Sequence, residues 1–98
     1  MTVSFLEIAQ VEFERAVTYY NAESPGLGHE FADELYRTID RIRARPLAWQ
    51  RLSPNVRRCI ARRFPYGVLY ALRDEEILIV AIMHLHRNPD SWKGRGSS

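Results

Sequence analysis

Glu76-Ile77-Leu78-Ile79-Val80-Ala81-Ile82-Met83-His84-Leu85 is the stretch on which the fold turns. Its apolar centre, residues 77–83, is the longest such run in the chain, at seven residues. A membrane helix needs roughly 20. Apolar side chains fall on both parities of the run, so the pattern predicts an inner strand buried on both faces. Asp74-Glu75 just upstream reads as a turn, and residues 66–73 as the preceding strand. Before Pro65, residues 56–64 alternate, with Arg58, Ile60, Arg62 and Phe64 on one face and Arg57, Cys59, Ala61 and Arg63 on the other. Residues 47–55 read as a connector whose Trp49 and Leu52 plug the core. Further upstream the apolar period changes from 2 to about 3.6. Phe31, Leu35, Ile39 and Ile42 form a stripe that predicts a helix over 27–44, ended by Pro46. Ser24-Pro25-Gly26 separates it from an earlier helix, 8–22, with Ala9, Phe13, Ala16, Val17 and Tyr20 inward. So short a break predicts an antiparallel helix hairpin. Residues 2–6 read as a short strand. The expected architecture is α+β, ordered β-α-α-β-β-β, with the hairpin on one face of a small, mostly antiparallel sheet.

Ninety-eight residues suit one domain, assigned to 1–93, with 94–98 (Gly-Arg-Gly-Ser-Ser) as a flexible tail. A hydrophobic share of 46% beside 27% charged residues argues against disorder. The N-terminal residues carry no basic start or long apolar stretch, so no signal peptide is expected. Cys59 is the single cysteine, which excludes an internal disulfide and fits a reducing cytoplasm. The net charge of +2 conceals an asymmetry: residues 1–40 sum to −6 and residues 41–98 to +8. Thirteen of the fourteen bases are arginine, whose planar fork suits phosphate and carboxylate. That half could meet nucleic acid, an acidic protein or the chain's own acidic half.

Arg57, Arg58, Arg62 and Arg63 crowd into seven residues. Alternation places Arg58 and Arg62 on one face, where they could clamp phosphates or an acidic segment. They could equally protect a solvated edge strand. His84 and His86 end the last strand, next to Arg87. A histidine there could exchange protons near neutral pH, or could be a hydrogen-bonded structural residue. His84-Leu85-His86 gives two ligands at strand spacing and no third, so no metal is expected. Trp92, with Arg87 and Lys93, could stack on a base, or the tail could fold back so that Trp92 covers the sheet. Tyr66 and Tyr70 read as core residues with their hydroxyls reaching water. The chain has no glycine-rich phosphate loop, Cys-x-x-Cys, His-Glu-x-x-His or nucleophile elbow, and no cofactor is expected.

Several strings, in order, resemble the RelE/ParE superfamily of toxins from type II toxin–antitoxin systems, over about residues 5–93. They are Phe13-x-x-Ala16-x-x-Tyr19-Tyr20, Gly26-Leu27-Gly28-x-x-Phe31 and Pro46-x-x-Trp49. Next is Arg57-Arg58-x-x-x-Arg62-Arg63-Phe64-Pro65-Tyr66-Gly67-Val68-x-Tyr70. Last is Ala81-Ile82-Met83-His84-x-x-Arg87-x-Pro89-x-x-Trp92. The resemblance implies a growth-inhibiting toxin, associated with plasmid stabilisation and neutralised by a cognate antitoxin that wraps it. Operator DNA would be contacted only through that antitoxin.

Two branches differ in target. RelE-like members cleave mRNA on the ribosome with basic residues on the sheet and a C-terminal aromatic residue or histidine. Arg58 and Arg87 match that set. The arginine usual after the tyrosine of the next strand falls on Gly67, and the catalytic tyrosine falls near Trp92, which cannot move a proton in that role. ParE-like members poison DNA gyrase and lack the nuclease set. Gly67 and the 81–87 string resemble that branch more. The favoured expectation is therefore a non-enzymatic gyrase poison, with Arg58, Arg62, His84, Arg87 and Trp92 facing the target. The alternative is an endoribonuclease, with Arg58, Arg62 and Arg87 on the scissile phosphate and His84 or His86 moving protons. A third reading is a non-toxic relic that only binds antitoxin.

Overall fold

The computed structural model describes residues 1–96. Its elements run β1 (Thr2–Phe5), α1 (Glu7–Glu23), α2 (Leu27–Ala44), β2 (Gln50–Arg51), β3 (Arg57–Ile60), β4 (Tyr66–Arg73) and β5 (Glu76–His84). The five strands form one sheet in the order β1-β5-β4-β3-β2. β1 runs parallel to β5, and every other pairing is antiparallel. The expected architecture is present, enlarged by one strand inside the connector. Gln50 pairs with Arg58 and Arg51 with Arg57. Two residues are too few to show a period of 2.

The helix stripe behaves as its spacing requires. Phe31, Leu35, Ile39 and Ile42 are all buried and pack with Val68, Tyr70, Ile77 and Ile79 of the sheet. Burying each such side chain is worth about 1.5–3 kcal/mol. Two glycines make the hairpin possible. Gly26 holds φ at +87°, a left-handed turn that favours glycine. A Cβ on Gly28 would run into the Val17 carbonyl oxygen and sit 2.6 Å from Asn21 Cγ, so only hydrogen fits where the helices touch. Asn21 Oδ1 accepts the Gly28 N–H at 2.8 Å and closes the same corner.

β5 is an inner strand, covered on both sides. Leu69 faces Ala81 while Tyr70 faces Ile79, so Val80 is an extra residue, a bulge. Ile79 and Ile82 therefore both face the helices, whereas Val80 and Ala81 both face away. A second core, with Val56, Leu69, Val80 and Trp92, fills that far side. Trp49 packs on the helix side and Leu52 on the far side, so the connector plugs both cores.

The strand predicted over 56–64 is shorter. It ends at Ile60 because the Arg62 N–H leaves the ladder for Glu34 Oε2 at 2.6 Å. The C-terminus is likewise more ordered than its composition predicts. Arg95 donates to Glu12 Oε1 (2.9 Å) and to the Val80 carbonyl (3.2 Å), which docks residues 94–96 against β5 instead of leaving a free tail. The rest of the predicted tail, residues 97–98, lies outside the described residues. Among the described residues, no helix is long and apolar enough to cross a membrane.

Candidate functional site

Four aromatic rings support the end of the sheet where β4 begins and β5 ends. Tyr20 and Phe31 from the helices pack on Phe64 and Tyr66 with centroids 4.9–6.1 Å apart. Most of these pairs meet edge to face, the arrangement that ring quadrupoles favour. Tyr66 faces His84 across the β4–β5 ladder, ring centroids 5.3 Å apart. Asn88, at φ 46°, then turns the chain back, a conformation asparagine tolerates.

Between this end of β5 and α1 runs a groove of about 270 Å³. Arg15 and Tyr19 of α1 form one wall, with Tyr66, His84 and Arg87 opposite. Ala16, Ile82 and Met83 form its floor but are themselves buried, at 2–6% exposure, with the Met83 side chain in the far core. Arg15 and Arg87 make no ion pair among the described residues. Burial, and then the Arg87 and His86 charges, push the His84 imidazole below its ordinary value, so it is neutral at pH 7. Its Nδ1 accepts the His86 N–H at 3.1 Å, which puts the ring proton on Nε2. Burial raises the Tyr20 and Tyr66 phenols above their ordinary value, so both remain protonated donors. Glu12 is the one acid in the lining, and its Oε1 already takes the Ile82 N–H (3.1 Å) and Arg95.

The residues singled out in the sequence do not form one surface. His84, His86 and Arg87 lie together, at or beside the groove. Arg58 pairs with Leu69, whose side chain belongs to the far core, so Arg58 lies on the opposite face from His84. Its Nη2 donates to Gln50 Oε1 at 2.9 Å, its Nε is buried without a partner among the described residues, and its stem passes 3.0 Å from where a Gly67 Cβ would stand. Arg62 lies beyond β3 with its side chain exposed and its N–H held by Glu34. It therefore does not share a strand face with Arg58, because the strand has already ended. Trp92 is 8% exposed, and its indole N–H donates to the Pro89 carbonyl at 2.8 Å. The tail has folded back, leaving Trp92 no open stacking face. Tyr70 also departs from expectation: its hydroxyl donates to the Pro46 carbonyl (2.6 Å), not to water.

Neither Arg15 nor Tyr19 is among the expected site residues, although Tyr19 stands in the string Phe13-x-x-Ala16-x-x-Tyr19-Tyr20. One signal was available: Arg15 is the only base in the first 36 residues, one helical turn before Tyr19. Glu34, buried at 4% exposure, gave no signal. Among the described residues, no group of three or more His, Cys, Asp or Glu could hold a metal ion. The lone thiol of Cys59 is buried, and burial pushes it up, away from thiolate chemistry.

The fold is of the α+β class, a helix hairpin on one face of a five-stranded sheet, with a cationic groove at one end. A family model, ParE toxin of the type II toxin–antitoxin system parDE, matches residues 3–89, so the chain belongs to the ParE toxin family. Among solved structures, it is similar to a chain of the chromosomal ParDE toxin–antitoxin system from P. aeruginosa. That similarity has a TM-score of 0.76 and 17% identity, and covers 87% of this chain and 96% of the other. At that identity the likeness speaks for the fold. No curated protein matches the chain.

Proposed function

We propose that this chain is a toxin that binds DNA gyrase and traps it on cleaved DNA, without chemistry of its own. A cognate antitoxin protein silences it. Membership of the ParE family over residues 3–89 is the observation that carries the reading. The far face of the sheet supports it as well: Gly67 leaves space that the Arg58 stem fills, and Trp92 is buried. Among the described residues, that face presents no assembled set of groups for cutting a phosphodiester. His84 and Arg87, beside the exposed Tyr19, are the target-facing residues of this proposal. Arg62 is exposed near the β3–β4 loop and serves as a secondary contact. A cytoplasmic location, and operator contact through the antitoxin alone, go with the reading.

One observation favours a second reading, a ribosome-dependent endoribonuclease. His84 is neutral at pH 7 and stands by Arg87, a base beside a phosphate-binding cation. Pulse labelling after induction of the chain without antitoxin separates the two. The gyrase reading predicts that DNA synthesis stops first, with double-strand breaks. Protein synthesis stopping first, with mRNA cut at ribosomes, replaces it with the nuclease reading. Neither stopping identifies a relic that only binds antitoxin.

A further inference from the structure

Arg15, Tyr66, His84 and Arg87 bring donors to the α1–β5 groove, beside Asn88 and Ser91, which can donate or accept, and Glu12, whose Oε1 is already engaged. Arg15 and Arg87 have no carboxylate partner among the described residues, even though acids lie close by in the sequence. Asp90, three residues beyond Arg87, pairs with Lys93 at 3.1 Å, and Glu12 is held by Arg95 and the Ile82 N–H. His84 offers an Nε2–H, and the phenol of Tyr66 offers its hydroxyl. Two cations without a carboxylate partner, beside two further donors, define a seat for an anion.

We propose that this groove seats a carboxylate side chain from an acidic segment of the antitoxin, with Arg15 and Arg87 closing on it from the two walls. The inference rests on the toxin–antitoxin reading given above. The rim selects the occupant. Tyr19 is 47% exposed there, an aromatic ring next to the arginines. A peptide with an apolar residue beside its Asp or Glu covers that ring as its carboxylate meets the arginines. An isolated phosphate would satisfy the arginines and leave the ring uncovered. The sheet half of the chain, at +8, adds long-range attraction for an acidic segment. The antitoxin thus sits on the residues proposed to face the target, and it neutralises by occupying them.

The test uses the full chain and the antitoxin encoded beside it. Arg15→Gln, Arg87→Gln and the double variant are compared with wild type for antitoxin affinity across a salt series, after thermal melts confirm folding. Arg73→Gln, at the other end of β4, is the control. The proposal predicts that each groove variant binds about 10- to 100-fold more weakly. The double variant should lose less than the product of the two, because both arginines hold one group. The salt dependence should flatten in both, and Arg73→Gln should bind as wild type does. Groove variants that bind antitoxin as wild type does overturn the proposal. If they keep antitoxin affinity but lose binding to a DNA or RNA oligonucleotide, the occupant is a phosphate and the proposal also fails. A wild-type chain that binds no antitoxin refutes the toxin–antitoxin reading itself, a result distinct from a groove that does not matter.

Discussion

Replacing Glu34 with alanine should destabilise the chain by about 3 kcal/mol. The carboxylate sits in α2 at 4% exposure and takes the Arg62 N–H at 2.6 Å. Arg41 Nη2 lies 3.7 Å away and Arg37 Nη1 3.9 Å away. Alanine leaves the Arg62 N–H without this acceptor, a loss of about 1–3 kcal/mol. It also removes the anion from the half-buried Arg41. Breaking a fully buried pair costs roughly 3–5 kcal/mol, and the partial exposure of Arg41 reduces that share. Glutamine keeps an acceptor oxygen for Arg62 and loses only the charge, so Glu34→Gln should cost about 1 kcal/mol. For a domain of this size each kcal/mol moves Tm by about 4–8 °C, so Glu34→Ala should melt roughly 12–24 °C lower. Thermal and urea unfolding followed by far-UV circular dichroism read both variants. Glu34→Ala within about 1 kcal/mol of wild type would refute the reasoning. A glutamine variant as damaged as the alanine one would shift the weight from hydrogen bond to charge.

Other consequences follow from single contacts. Gly28→Ala should lose about 1–3 kcal/mol in urea unfolding despite alanine's better helix propensity, because its methyl meets the Val17 carbonyl; a stabilised variant would mean that the helices are not in contact there. Burial pushes the Tyr70 phenol up to about 12, so the unfolded chain ionises near pH 10 while the folded one holds its proton. Wild type therefore keeps its full stability below pH 10 and loses up to about 3 kcal/mol as pH rises through 12. Tyr70→Phe loses the Pro46 hydrogen bond but cannot ionise, so it should be less stable than wild type by about 1–2 kcal/mol at pH 8 and the more stable of the two above pH 12; a constant gap counts against the cause. Arg95→Ala removes the Glu12 ion pair and should free the tail. In a Trp49→Phe background, Trp92 fluorescence should then become several-fold more quenchable by acrylamide; unchanged quenching would show that Arg95 does not hold the tail.

The helix hairpin and the last strand were legible in the sequence because each is a local pattern. Phe31, Leu35, Ile39 and Ile42 mark one face of α2, and the two-parity run at 77–83 marks an inner strand. What stayed hidden depends on partners far along the chain. The end of β3 is set by Glu34, 28 residues from Arg62, and the docked tail by Glu12, 83 residues from Arg95. The bulge at Val80 is invisible where every neighbour is apolar. For the site, nearness in sequence gave the cluster of His84, His86 and Arg87. Alternation separated Arg57 and Cys59 from Arg58 and Ile60, but it was carried past the end of β3 to Arg62 and to Phe64, which packs with Cys59 and Ala61 on the helix side. Nor could it say which face the helices cover, so Arg58 and Trp92 were grouped with residues across the sheet. Arg15 and Tyr19 emerge only once the register of α1 against β5 is known.

Purified gyrase, supercoiled plasmid and ATP, incubated with the chain and quenched with detergent and protease, test the central claim most directly. The account predicts linear DNA that accumulates with toxin concentration and disappears when antitoxin is added first. Intact plasmid at every concentration, while the same preparation cuts mRNA on ribosomes, would contradict it.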